Sequence, residues 1–248
     1  MVNFIENGKK AYYMELKIMS VFEDACNAIK QNYGIALDLD AIPVDDSKTF
    51  ELLQQGQTEK VFVFHGKALQ QYLRELHPEN LDHLAALYAL YFVSRIYGNR
   101  RLKHYIARKN GREKIECAAP CMAEFLKETY GIGIYADQIM LMSQRIAGFS
   151  EAESEELRKA LYKRQCNKLP LFEQMFIERG MNNGFDITEL HAIWHQWYDE
   201  FAYYGFSKAR AASHARIAYL SAYLKANYPD EYLAAISRSN MKIDDYFI

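Results

Sequence analysis

The sequence has 248 residues, 50% of them hydrophobic and 25% charged, with a net charge of −2. This is the usage of a folded globular chain, which excludes intrinsic disorder, and no run approaches the roughly 18 apolar residues of a membrane span. Four scattered cysteines (Cys26, Cys117, Cys121, Cys166) do not make a disulfide scaffold, and the start MVNFIENGKKAYYMELK lacks the shape of a signal peptide, so a cytoplasmic protein without a membrane partner is expected.

Twelve Gly and five Pro in the whole chain predict long, uninterrupted elements. The first helix is predicted over residues 14–32, where Ile18, Val21, Phe22, Ala25 and Ile29 recur at three-and-four spacing. A loop follows, then a short helix capped by Asp46 or Ser47 and closed near Gly56. Residues 60–64 (KVFVF) read as a short strand. From Pro78 onward the pattern is helical almost throughout. Ser150 with Glu153, and Asp186 with Glu189, have the spacing of capping boxes; Ser207 can cap a helix through Asn227, and Pro229 suits the first turn of a last helix. The fold class that follows is mainly α, with at most one or two short strands near the N-terminal third and no internal repeat or flexible linker.

Charge is unevenly spread. Residues 92–114 carry eight basic side chains (Arg95, Arg100, Arg101, Lys103, Arg108, Lys109, Arg112, Lys114) against Glu113 alone, a local +7 that leaves −9 for the remainder. Such segregation points to an anionic partner, though a solvated helix face has the same composition. A second basic segment, LRKALYKR, sets Lys159 and Lys163 on one helical face between Arg158 and Arg164, able to meet a triphosphate or a run of backbone phosphates. Its acids crowd the N-terminal turns and its cations the C-terminal end, which the helix dipole also favours. A third sits in FSKAR: Lys208 and Arg210 fall in a first helical turn, where free N–H groups and the dipole already attract anions, so a bound phosphate explains them better than helix stability does.

Other constellations point to packing. His191 and His195 stand four apart, but Ala192 occupies the place of the zinc-protease glutamate, and the adjoining Trp194 and Trp197 suit an amphipathic helix. Cys117 and Cys121 have no second ligand pair at useful spacing. With no Gly-rich phosphate loop and no nucleophile elbow, neither a catalytic set, nor a metal site, nor a cofactor is expected.

The order of segments resembles the fingers region, and the edge of the palm, of the bacterial DNA polymerase III alpha subunit, the C-family replicative polymerase. The matching segments are LDLDAIPVDDSKTFELLQQGQTEKVFVF, YLRELHPENLDHLAALYALY, ARKNGREKI, LKETYGIGIYADQIMLMSQRIAGFSEAESEELRKAL and FAYYGFSKARAASHARIAYLSAYLKANYPDEYLAAI, collinear from about residue 34 to 237. The resemblance implies a palm-edge-like segment over residues 1–45 and a helical fingers-like domain over 46–248. It implies DNA or nucleoside triphosphate as partner, with other replication proteins as a further class. Phosphate contacts would come from Arg158, Lys159, Lys163, Arg164, Lys208 and Arg210, and DNA contacts from Arg100, Arg101, Lys103, Arg108, Lys109 and Arg112.

The chemistry the resemblance implies needs three carboxylates holding two metal ions. The family's K-M-D-F-L-G-L-K run falls on residues 10–17, KAYYMELK, where Tyr12 takes the aspartate position and Glu15 is three residues out of register. A phenol is a poor ligand for magnesium. Further departures stand at Tyr91-Phe92-Val93-Ser94-Arg95-Ile96 for Y-R-P-G-P-M, Phe62-Val63-Phe64-His65-Gly66 for F-Q-F-E-S, Leu161-Tyr162-Lys163-Arg164 for M-G-K-K, and Phe206-Ser207-Lys208-Ala209-Arg210 for F-N-K-S-H. The expectation is a truncated, degenerate relative that keeps a basic fingers-like surface and does not polymerise by itself. The alternative is a non-enzymatic interaction module or homo-oligomer, with Trp194 and Trp197 on its contact surface.

Overall fold

The computed structural model describes residues 4–162, 165, 167–201 and 205–239. Among these the chain forms twelve α-helices: α1 (Phe4–Tyr33), α2 (Ser47–Gln54), α3 (Lys67–Leu76), α4 (Leu81–Tyr97), α5 (Arg100–Lys109), α6 (Ala123–Leu126), α7 (Ala136–Ala147), α8 (Glu151–Tyr162), α9 (Leu169–Asn182), α10 (Ile187–Phe201), α11 (Lys208–Asn227) and α12 (Pro229–Ser239). The described residues contain no strand, only an isolated parallel bridge between Tyr135 and Phe206. None of their helices is long and apolar enough to cross a membrane. The chain divides into two compact units, one of Met1–Leu84 with Ala212–Ile248, the other of Ala85–Ala211.

In the first unit the stripe expected on α1 is its buried face: Ile18, Val21, Phe22, Ala25 and Ile29 are all fully buried, and α1 packs on α12, whose Tyr232, Ala235 and Ile236 are also buried. Asp46 caps α2 by accepting from the Thr49 N–H at 2.8 Å and the Thr49 hydroxyl at 2.6 Å. The same residue is tied to α11 through its own N–H, which donates to the Tyr219 hydroxyl at 2.9 Å.

Residues 60–64 are not a strand. Lys60 and Val63 adopt left-handed φ angles of 63° and 69°, and the Phe64 N–H turns back to the Phe62 carbonyl at 2.8 Å. Val61, Phe62, Val63 and Phe64 are all fully buried, whereas a strand would send alternate side chains to opposite faces. An apolar run of this length fits a buried turn as well as a buried strand, and no neighbouring strand offers a ladder here. Single groups satisfy the backbone instead: the Phe62 N–H donates to Ser221 Oγ at 2.8 Å, Thr58 Oγ1 donates to the Phe64 carbonyl at 2.6 Å, and the Tyr232 hydroxyl donates to the Lys60 carbonyl at 2.8 Å.

In the second unit α7, α8, α9 and α10 enclose an aromatic and aliphatic core. Phe176 lies at its centre, 4.7 Å from the Trp197 ring and 6.0 Å from that of Trp194. The first capping signal is realised as a full box, the second as a cap by Asp186. The Ser150 N–H and hydroxyl donate to the Glu153 carboxylate at 2.8 and 3.0 Å, and the Glu153 N–H returns to Ser150 Oγ at 3.2 Å. Asp186 Oδ1 accepts from the N–H groups of Thr188 and Glu189 at 2.8 and 3.3 Å. The Glu153 carboxylate also pairs with Arg179 of α9 at 2.9 Å, and this guanidinium, with the cap, brings the carboxyl down to about 2.

Candidate functional site

The basic helix α5 is anchored by Leu102, Tyr105 and Ile106, which are buried on one side. At 100° per residue, Arg100, His104, Arg108 and Arg101 share a single arc of about 100°, and Lys103 projects from a different side. Within that arc Arg108 is the most committed. Its side chain is only 14% exposed; Nε donates to Glu113 at 2.8 Å, and one terminal nitrogen donates to the carbonyls of Glu116 and Tyr130 at 3.0 and 3.2 Å. Arg101 donates to the Gly133 carbonyl at 3.1 Å. Glu113 also meets His104 Nδ1 at 2.6 Å, and together His104 and Arg108 hold its carboxyl below the usual range.

Beyond these ties the run divides. Lys109 is half-buried, Lys114 pairs loosely with Glu116 at 3.6 Å, and Arg100, Lys103 and Arg112 are exposed with no carboxylate partner among the described residues. The loop that receives Arg108 depends on Gly131. Its φ of +77° is left-handed, and a Cβ there would stand 3.0 Å from the Glu116 carbonyl and 3.1 Å from the Arg108 guanidinium, so any other residue would be strained and crowded here.

The cations of α8 are differently placed. Arg158 forms a two-point bond with Glu155, at 2.6 and 2.7 Å, which raises the guanidinium's pKa and lowers that of the carboxyl. Lys159 lies 3.3 Å from Glu156 and 3.6 Å from Glu155, and Lys168 is 3.4 Å from Glu156. Lys163 and Arg164 lie outside the described residues.

At the start of α11, Ser207 is the cap, with its hydroxyl 3.4 Å from the Arg210 N–H. The Lys208 N–H donates to Asp137 Oδ2 at 3.0 Å, and Lys208 Nζ donates to Glu128 at 2.7 Å. The negative charge that this helix start calls for is thus offered by two of the protein's own carboxylates. Arg210 is exposed, its guanidinium carbon 6.0 Å from the Phe206 ring centroid. Sequence reasoning passes over Asp137 and Glu128. The available signal is the four-residue spacing of Asp137, Leu141 and Arg145 along α7. Leu141 and Arg145 line a groove of 940 Å³ beside Lys208, together with Phe125, Lys127, Glu124 and Glu128. Charges of both signs line it, which gives no preference for an anion.

The remaining motifs fall where packing predicts. His191 and His195 are on the exposed side of α10, while Trp194 and Trp197 are 4% and 0% exposed within the core. Neither tryptophan is available as the contact surface of an interaction module. Cys117 and Cys121 are half-buried against the same core.

The described residues are therefore mainly helical, and the second unit gathers the basic helix α5, the ion-paired helix α8 and the α11 start. Over residues 18–184 it matches the family described as the bacterial DNA polymerase III alpha subunit finger domain, and it belongs to that family. The DNA polymerase III subunit alpha of Chlamydia pneumoniae is 37% identical over 227 residues, which is 92% of this chain and 18% of that protein. Those of Aquifex aeolicus (31% over 239 residues; 96% of this chain, 20% of that protein) and Mycobacterium leprae (37% over 234 residues; 93% and 20%) are similar in the same way. The chain spans about a fifth of the length of the curated relatives it matches.

Proposed function

We propose that this chain is a fingers element that meets the phosphates of DNA or of a nucleoside triphosphate and does not polymerise by itself. In this reading residues 1–45 keep the character of the palm edge and residues 46–248 that of the fingers. The observation that carries the phosphate reading is the exposure of Arg100, Lys103 and Arg112 without carboxylate partners among the described residues, in a chain of a polymerase family. Unpaired cations bind a polyanion by releasing its counterions and lose no internal ion pair in doing so. Arg158, Lys159 and Lys208, with Arg210, Lys163 and Arg164, form the second part of the proposed surface. There a phosphate must compete with Glu155, Glu156 and Glu128, so this part is weaker and more selective. Tyr12 in the position of a metal-binding aspartate supports the absence of polymerisation by the chain alone.

The test is fluorescence anisotropy of a labelled primer-template across a salt series, beside a primer-extension assay. Binding that falls steeply with salt, without extension above a mock preparation, is the expected result. No binding at low salt would overturn the phosphate reading, and extension that copurifies with the chain would overturn the inactivity.

A further inference from the structure

The last turn of α4 carries apolar side chains out of the core. Val93 is buried and Phe92 half-buried, but Ile96 and Tyr97 are 52% and 44% exposed. This extension has a local cause. The Y-R-P-G-P-M run holds prolines and a glycine, which would break a helix, whereas Tyr91-Phe92-Val93-Ser94-Arg95-Ile96 holds none, and α4 runs through it to Tyr97. We propose that the turn between α4 and α5 is a stacking platform for an unpaired base of a single-stranded nucleic acid, with Tyr97 as its ring. The inference rests on the proposed phosphate-binding surface and names the form of nucleic acid that reaches beyond it.

Three observations meet at this turn. The first is the ring itself. A phenol with nearly half its surface in water offers a face to a flat partner, and stacking on it tolerates any base because every base has a π-face. Ile96, the residue before it, widens the apolar area.

The second is rigidity. The Gly98 N–H donates to the Ser94 carbonyl at 2.9 Å, and its φ of +82° turns the chain out of α4, in open space where a Cβ would meet nothing within 4 Å. The Asn99 carbonyl then accepts from the Lys103 N–H at 3.0 Å, and Arg101 ties the start of α5 to the Gly133 carbonyl at 3.1 Å. Backbone held on both sides of the turn has little freedom left to lose when a base settles on the ring.

Charge is the third. Arg100 follows Tyr97 by three residues, no more than about 11 Å from Cα to Cα. It and Lys103 are exposed, with no carboxylate partner among the described residues. Cations for the backbone beside a ring for the base is the combination that binds single strands. A duplex can meet the cations, but its bases are paired and stacked on one another, so the ring gains nothing from it.

The experiment is fluorescence anisotropy of the full chain with three labelled probes: a thymidine oligonucleotide, an abasic strand of the same length and charge, and a blunt duplex. Parent, Tyr97→Ala and Tyr97→Phe are compared across a salt series. The parent should bind the thymidine strand more tightly than the abasic one. Tyr97→Ala should weaken thymidine-strand binding roughly fivefold or more and leave the other two probes unchanged, while Tyr97→Phe keeps the ring and the parent's affinity. Equal binding of the abasic strand by parent and Tyr97→Ala also shows that the variant's fold is intact. A thymidine strand bound equally by parent and Tyr97→Ala, or no better than the abasic strand, overturns the platform. The broader reading fails separately. Binding that falls steeply with salt but ignores Tyr97→Ala sinks the platform and leaves the phosphate surface standing. Binding that is lost in Tyr97→Ala but indifferent to salt and to Lys103→Ala sinks the surface and leaves the platform standing. No binding of any probe at low salt overturns both.

Discussion

The helices α5 and α8 are both rich in Arg and Lys, yet they present charge in opposite ways. On α8 each described cation has a glutamate one turn earlier, so Arg158 and Lys159 are largely neutralised within their own helix. On α5 Glu113 is taken up by His104 and Arg108, and Arg100 and Lys103 remain exposed without an acid partner among the described residues. Basic composition is therefore a poor guide to affinity for an anion. The useful quantity is the cation left over after the intramolecular pairs are formed, because a ligand must otherwise repeat work that a neighbouring carboxylate has already done.

Four comparisons would break or sharpen that contrast, in descending order of expected effect. Arg108→Ala, which leaves Glu113 with His104 alone and takes the donor from two loop carbonyls, should cost roughly 2–3 kcal/mol of stability in a denaturant titration, whereas Lys103→Ala should stay within about 0.5 kcal/mol. Equal costs would show that α5 does not divide into an anchoring and a surface-facing part. The combined Arg100→Ala, Lys103→Ala and Arg112→Ala variant should lose roughly tenfold or more in oligonucleotide affinity, with the salt slope reduced by about 0.9 for each phosphate contact removed. Arg158→Ala should have the smaller effect, and the reverse order would invert the comparison.

Glu153 tests whether ion pairs on the α8 side act in folding. Its carboxyl lies at about 2, down from an ordinary 4.5, so its contribution to stability is present above about 4.5 and is lost as pH falls from there toward 2. Glu153→Gln keeps an acceptor for the Ser150 N–H but removes the charge opposite Arg179, so it should lower stability by no more than about 1 kcal/mol at neutral pH and should flatten the acid limb of the melting profile. The smallest effect is expected from Glu155→Gln, which releases Arg158: DNA affinity should rise by roughly two- to threefold, under 1 kcal/mol. No change would mean that Arg158 does not face the polyanion even when unpaired.

Much of this molecule was legible before any fold was known. The stripe of Ile18, Val21, Phe22, Ala25 and Ile29, the caps at Asp46, Ser150, Asp186 and Ser207, and the proline opening α12 are all local patterns, and local hydrogen bonds and helical periodicity enforce them wherever the chain goes. The order of segments likewise identified the family. Three outcomes were decided only by tertiary structure. Residues 60–64 carry a strand's composition but became buried turns, because a strand needs a partner that the sequence cannot announce. Trp194 and Trp197 suited a contact surface as well as a core until α8 and α9 closed over them. The partners of Lys208 and Arg108 include Glu128, 80 residues away, and Tyr130, 22 residues away; pairs at such separations depend on the global path of the chain, which decides which cations remain for a ligand.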